Sequence, residues 1–429
     1  MVDPKLIRDT PALVKRAVKR KGGDPVIVDE FLNADTQRRT LQQALQELQT
    51  SLNTSSKQLA TATPEERDIM RHQLRSLSDS IQEQGSQLND LETLCKQLHR
   101  QIPNIPSDDV PDGASDKENV VVRTEGVKPE FTFPPKDHEQ LCAELDLLDM
   151  ERAAKVAGAK FYYLKNELSL LEQAVMRFAT DTLYSKGFTM LSVPNLVKAE
   201  VLYGSGLFVT PEDATDGDAY RIDRDDLYLV GTAEPPLVAF HSGEVLHESE
   251  LPLRYAALSP AFRREAGTYG KETRGLYRVH QFNKVEMVSL TRPEDSQKEQ
   301  ELLLGIAEEL LHKLGLHYQV VLNCAGDLGH PQVKKWDIET WLPGMNKYGE
   351  THSCSNDTDY QARSLNIRFK ASGKDGEKDV QYVHTLNNTA LSSARILIAI
   401  LENYQQPDGS IEIPKALHAY IPFTRITRR

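Results

Sequence analysis

Two runs of heptad-spaced apolar residues, split by one proline, constrain this chain more than any other feature. Leu41, Leu45, Leu48, Leu52 and Leu59 step by four, three, four and seven. Met70, Leu74, Leu77, Ile81, Leu88, Leu91 and Leu98 continue the rule beyond Ala60-Thr-Ala-Thr-Pro-Glu-Glu66. Apolar residues recurring every 3.5 positions make the seam of a coiled coil. Thr63 reads as a helix cap and Pro64 as the first residue of the second helix. Helices joined by so short a connection must run antiparallel, each covering the other's stripe. The spacing predicts an arm over about residues 29–102, on the order of 45 Å long at about 1.5 Å per residue. Its outer faces are polar, which suits a spacer, a dimerisation device or a probe for a partner. Arg38, Arg39, Lys57, Arg67, Arg71 and Arg75 alternate with acidic residues, the pattern of a solvated face unless a polyanion is bound.

The arm closes at Ile102-Pro-Asn-Ile-Pro106, and SDDVPDGASDKEN has the prolines, glycines and charges of a linker. The expected division is an N-terminal domain over 1–106, a linker over 107–119 and a mixed domain over 120–429. In the last, helical periodicity covers Asp137–Leu148, Leu168–Lys186, Glu294–Leu314 and Leu391–Tyr404. Strands are expected at Phe188–Val193, Leu227–Val230, Val279–Leu290, Tyr318–Leu322, Asp337–Trp341, Asn366–Phe369 and Gln381–Leu386. Without regular strand–helix alternation, this order predicts an α+β fold with an antiparallel sheet flanked by helices.

Composition narrows the class. The 429 residues carry 63 acidic and 51 basic side chains, a net charge of -12, and 39% hydrophobic residues, which fits a globular protein. No stretch nears the roughly 18 apolar residues of a spanning helix, so no membrane partner is expected. The first residues lack the apolar core of a secretory signal, and the expected location is cytoplasmic. Cys95, Cys142, Cys324 and Cys354 stand far apart, so neither zinc nor a disulfide framework is expected. From Lys5 to Lys21 seven basic residues face one acid, Asp9; a solvated helix face accounts for them. P-loop and dinucleotide fingerprints are absent, and Gly204-Ser-Gly206 lacks a third glycine.

The densest chemistry runs from Phe262-Arg-Arg-Glu-Ala-Gly267 to Val279-His-Gln-Phe-Asn-Lys-Val-Glu286. Gly267, Gly270 and Gly275 mark a long turn between two strands, with arginines at 263, 264, 274 and 278. Alternation turns Val279, Gln281, Asn283 and Val285 one way and His280, Phe282, Lys284 and Glu286 the other. One face then carries an aromatic platform and a carboxylate, and arginine suits bidentate contact with phosphate. A structural role would not require so many charges in one turn.

Here the sequence resembles the seryl-tRNA synthetases of bacterial type, class II aminoacyl-tRNA synthetases, over essentially its whole length. The run just quoted is similar to the family's motif 2. Phe188–Pro194 with the preceding helix resembles motif 1, and Leu386-Asn-Asn-Thr-Ala-Leu-Ser-Ser-Ala-Arg395 resembles motif 3. Gly231-Thr-Ala-Glu234 and Glu350-Thr-His-Ser-Cys-Ser355 resemble its serine and ATP segments, and Asp3-Pro-Lys-Leu-Ile-Arg8 with the arm resembles its N-terminal domain.

The resemblance implies an ATP-dependent serine–tRNA ligase. Serine and ATP give seryl-adenylate and pyrophosphate, and serine then passes to the 3′ end of tRNA-Ser, with tRNA-Sec a further acceptor. It implies that Arg263 clamps the α-phosphate and the serine carboxylate, Arg395 holds the far phosphates, and both are catalytic. It places Arg264, Glu265, Val279, Phe282, Glu350, Thr351, His352 and Ser353 in the ATP site, Glu265 on the adenine amino group and Phe282 under the ring. Glu350 and Ser353 are the implied Mg2+ ligands. Thr232, Ala233, Glu234, Glu286, Asn387 and Thr389 fall at serine-pocket positions. A pocket built to bond a hydroxyl rejects alanine by about 10⁴–10⁵, whereas threonine is excluded by crowding. The resemblance also implies a homodimer and an arm that meets the long variable arm of the tRNA.

Histidines 280, 352 and 384 read as structural, Cys354 as a packed side chain, and Trp336 and Trp341 as core. Asn388 and Ala390 stand where many relatives have glycine, and Pro235 where an aliphatic residue is commoner. Two rival readings remain. A paralogue loading a carrier protein should lack the arm, and a silent scaffold should have lost Arg263, Glu265, Glu350 or Arg395; this chain keeps them all.

Overall fold

The computed structural model describes residues 1–59, 61–265, 274–372 and 378–428. They form two compact units, one of residues 2–19 and 23–103, the other of Met1, 20–22 and 104–429.

In the smaller unit, helix α1 (Val26–Leu59) and helix α2 (Pro64–Arg100) pack along their length. Every heptad position expected at the seam is half-buried, from Leu41 to Leu98, because two helices alone cannot seal a stripe from water. Pro64 is the first residue of α2. The cap works in reverse of the simplest expectation: the Thr63 N–H and hydroxyl donate to the Glu66 carboxylate at 2.9 and 2.8 Å. Full burial comes only at the root, where Val28, Phe31 and Ala34 pack beside Ile7, Val14 and Val18. Asp35, 4% exposed, bonds Arg38 at 2.8 Å and Arg8 at 3.1 Å. Burial raises its pKa, but the two guanidinium groups outweigh that and hold it below the usual carboxylate range. Lys15 pairs with Asp29 at 2.7 Å, so part of the basic run serves the fold. In the larger unit Arg20 pairs with Asp112 at 2.6 Å, and Lys21 donates to the carbonyls of Gly329, His330 and Gln332.

The larger unit is built on a sheet in which eight strands are joined among the described residues. In chain order they are β1 (Val120–Glu125), β2 (Thr189–Met190), β3 (Leu253–Phe262), β4 (Gln281–Thr291), β5 (Tyr318–Leu322), β6 (Lys334–Leu342), β7 (Lys347–Thr358) and β8 (His384–Ser392). Their spatial order is β1-β5-β6-β7-β8-β4-β3-β2. All neighbours are antiparallel except β2 on β3. Helices α3 (His138–Leu145), α4 (Asn166–Ser185), α5 (Ser296–Lys313) and α6 (Ser393–Asn403) share one hydrophobic core with the sheet. Ile396 to Leu401 are all at most 1% exposed, as a helix apolar on every side must be. The α+β architecture is as expected.

Several boundaries differ, for local reasons. The expected strand 188–193 shrinks to β2, held against Tyr255 and Ala256. The expected strand from Val279 begins at Gln281, because residues 277–280 bend first. The stretch 381–386 divides at Val383: Lys378–Tyr382 pairs with Arg368–Ser372 in a smaller sheet, and β8 enters the main one. Asp146, at φ 54°, stops α3 short of Leu148. Gly206, at φ 81°, ends the helix Ala199–Ser205, which accounts for the Gly-Ser-Gly run without a phosphate.

Leu386 lies at 0% exposure in the centre of β8. Leu386→Ala should cost about 2–5 kcal/mol, read as a lower urea midpoint. Leu45→Ala on the half-buried seam should cost on the order of 1 kcal/mol.

Candidate active site

A cleft of about 390 Å³ opens on the polar face of the sheet, lined by β4, β7, β8 and the segments beside them. Strand alternation explains part of its lining: Phe282, Lys284 and Glu286 project from β4 at every second residue. Two β-bulges explain the rest. On β7, Ser353 opposes Asp337 and His352 opposes Ile338, but Glu350 opposes Glu339, so Thr351 is an extra residue. On β8, Leu391 opposes Val285 and Thr389 opposes Glu286, which makes Ala390 extra. Each bulge brings two residues three apart onto one face: Glu350 with Ser353, and Thr389 with Ser392.

One end of the cleft is rich in carboxylates. Glu286, 2% exposed, forms an ion pair with Lys284 and accepts from the Thr232 hydroxyl at 2.9 Å. Glu234 accepts from Gln361 at 2.7 Å, and Asn387 donates to buried Asp357 at 3.3 Å. Burial, with Glu286 nearby, pushes the Glu234 carboxyl up to about 7, against Gln361, Lys284 and Arg263. Burial and the proximity of Glu234 also raise Asp357 well above the carboxylate range. This end is a polar hole with more carboxyls than cations, suited to an ammonium group beside a hydroxyl.

Arginines dominate elsewhere. Arg395, at the start of α6, donates to the Glu350 carbonyl at 2.5 Å and lies 3.5 Å from its carboxylate. Its guanidinium stands 5.0 Å over the Tyr277 ring. Enclosure raises the Glu350 pKa, yet Arg395, Lys335 and Arg263 outweigh it and keep this carboxyl below its usual value. Arg263 donates to the Gly231 carbonyl at 3.2 Å and lies 5.4 Å over the Phe282 ring. It lines the cleft together with Glu234 and Glu350 and lowers the pKa of both. Glu265, at φ 51°, accepts from Arg278 at 3.0 Å. A polyanion with a flat ring suits this half of the cleft.

Arg263, Glu286, Glu350, Thr389 and Arg395 therefore share one cleft, as do Thr232, Glu234, Glu265, Phe282, Ser353 and Asn387. Two expected residues fall outside its lining. Ala233 is fully buried in a satellite core, and Arg264 lies over the Tyr220 ring at 5.1 Å with a bond to the Ala219 carbonyl. Val279 joins the lining although alternation had turned it away from Phe282, since it precedes the strand. Thr351 and His352 border the cleft, but both ring nitrogens of His352 are engaged within the protein. His280 turns aside to the Arg263 carbonyl at 2.9 Å. Gly267 and Gly270 of the long turn lie outside the described residues.

Sequence reasoning had not assigned site roles to Lys284, Asp357, Gln361, Gln332, Tyr277 or Arg278. Lys284 was legible, being on the same strand face as Phe282 and Glu286. Asp357 and Gln361 reach the site only through tertiary contacts.

Comparison with known proteins identifies the family. The seryl-tRNA synthetase N-terminal domain family matches residues 1–106, and the tRNA synthetase class II core domain family (G, H, P, S and T) matches residues 219–404. The serine–tRNA ligase of Dictyoglomus turgidum is 43% identical over 99% of both chains. That of Dictyoglomus thermophilum is 44% identical over 99% of both. Among solved structures, the seryl-tRNA synthetase of Pyrococcus horikoshii complexed with ATP superposes with a TM-score of 0.91, at 39% identity and full coverage of both chains.

A carboxyl whose folded pKa lies near 7, against an ordinary 4.5, favours the protonated folded form. Its contribution to stability is therefore lost as pH rises from about 4.5 to about 7. Without substrates, Glu234→Gln should melt progressively higher than the parent across that window. Parallel melting curves for the two proteins would contradict the assignment.

Proposed function

The chain belongs to the class II seryl-tRNA synthetases, and from that premise we infer that it is an ATP-dependent ligase joining serine to tRNA. The observation that carries the reading is that one cleft holds Arg263 together with a carboxylate-rich hole and an arginine-lined trough. A serine carboxylate oxygen attacks the α-phosphorus of ATP, and the bond to the pyrophosphate oxygen breaks. Arg263 meets the carboxylate and the α-phosphate together, which orients the attack and offsets charge in the transition state. Arg395 binds the outer phosphates, and Phe282 stacks under adenine. Glu265, steadied by Arg278, accepts from the adenine amino group.

Glu234 and Glu286 receive the serine ammonium and hydroxyl, with Thr232, Asn387 and Thr389 completing the hole. In the second step a hydroxyl of the tRNA's terminal adenosine attacks the seryl carbonyl, and AMP leaves. Glu350 and Ser353 present two oxygen donors from one strand face, and Glu350 is kept ionised, which fits Mg2+. When bound there, the ion would neutralise phosphate charge. Arg264 is better read as a prop for the Asp218–Tyr220 segment than as a nucleotide contact.

The arm carries exposed Arg39, Lys57, Arg67, Arg71 and Arg75, spaced to follow the phosphates of tRNA-Ser by shape rather than by sequence. A homodimer, a cytoplasmic location and charging of tRNA-Sec complete the proposal. Among the described residues no helix is long and apolar enough to cross a membrane.

Serine-dependent ATP–pyrophosphate exchange, with threonine and alanine in parallel, tests the first step. Charging of purified tRNA-Ser tests the second. Arg263→Ala should lower exchange by about 10²–10³ with an unchanged circular dichroism spectrum; normal exchange would reject its role. Exchange without charging would favour a carrier-protein substrate instead.

A further inference from the structure

We propose that His352 is a positioning residue that fastens together the two β-bulges on which the polar face of the cleft depends. The kinetic part of this claim rests on the ligase reading, whereas the structural part does not. Both bulges change strand parity by one residue. Without them, one member of Glu350/Ser353 and one of Thr389/Ser392 would turn to the hydrophobic face. A bulge also leaves an extra residue outside the ladder and locally disrupts pairing, so its position needs support from elsewhere.

His352 supplies that support to both. Its Nδ1 lies 2.9 Å from the hydroxyl of Thr351, the extra residue on β7. Its Nε2 lies 2.9 Å from the carbonyl of Ala390, the extra residue on β8. A carbonyl can only accept, so Nε2 carries the hydrogen and Nδ1 accepts from Thr351. The Thr351 oxygen is in turn 2.8 Å from the Thr340 hydroxyl on β6. The result is a chain of hydrogen bonds across three strands, Thr340–Thr351–His352–Ala390, in which the Ile338 carbonyl, 3.2 Å from the Thr351 hydroxyl, is a second acceptor for its hydrogen. The ring is 1% exposed, so both of its nitrogens must find their partners within the protein.

Gln and Asn separate the two links. A glutamine amide nitrogen reaches the place of Nε2 and can still donate to Ala390, whereas asparagine reaches only the place of Nδ1. In serine-dependent exchange, His352→Asn should raise the KM for serine about tenfold, the worth of one hydrogen bond, because Thr389 is displaced from Glu286. His352→Gln, which keeps the Ala390 bond but gives up the one to Thr351, should raise it about threefold. If both variants melt lower but keep the parent KM values, His352 is merely structural and the proposal fails. Nitrogen-15 NMR of the wild-type protein should show hydrogen on Nε2 and a bare Nδ1. Hydrogen on Nδ1 would overturn the proposal even if neither variant folds. Absence of exchange in the wild type would refute the ligase reading instead, and the tautomer would still decide the role of His352.

Discussion

Charge drawn away from bulk water must meet opposite charge or a hydrogen bond, and that requirement organises the polar face of the central sheet. Glu286 is answered by Lys284 and Thr232 and Glu265 by Arg278, and even the more exposed Glu350 lies against Arg395. Where the answer is incomplete, as at Glu234 and Asp357, the carboxyls respond by moving up in pKa. The incomplete places are the useful ones. An excess of carboxyl over cation is a deficit that an ammonium group can fill, and the arginines elsewhere suit phosphate. The charges of the cleft thus fit the proposed pairing of an amino acid with a nucleotide.

Backbone irregularity delivers these groups. A regular strand offers one face a side chain every second residue, and the segments of β7 and β8 each need two polar groups three residues apart. The bulges at Thr351 and Ala390 meet that need on adjacent strands. At Ala390 the carbonyl is the acceptor for His352, so the backbone and not the methyl group makes the contact.

The arm obeys a different economy. Two helices by themselves leave each seam residue half-wet, and the smaller unit concentrates full burial and its Asp35 ion pairs at the root. The remaining length is polar and carries exposed cations, the surface on which the proposed contact with tRNA rests.

Much of this was readable from residues alone. Heptad spacing determined the arm, since a repeat of 3.5 positions admits few other structures. The charged motifs determined which side chains bear chemistry, because arginine, carboxylate and aromatic groups so clustered have little structural use. Alternation placed Phe282, Lys284 and Glu286 on one face. It failed at Val279 and does not hold across either bulge, because parity is a local rule and a bulge is fixed by pairing with a neighbouring strand. Asp357 and Gln361, remote in sequence from Glu234, became site residues only when the chain folded them beneath it. The sequence by itself settled the kinds of groups and the elements that carry them. Tertiary structure alone decided which of those groups face one another, since enclosure and register arise only when strands distant in the chain are brought side by side.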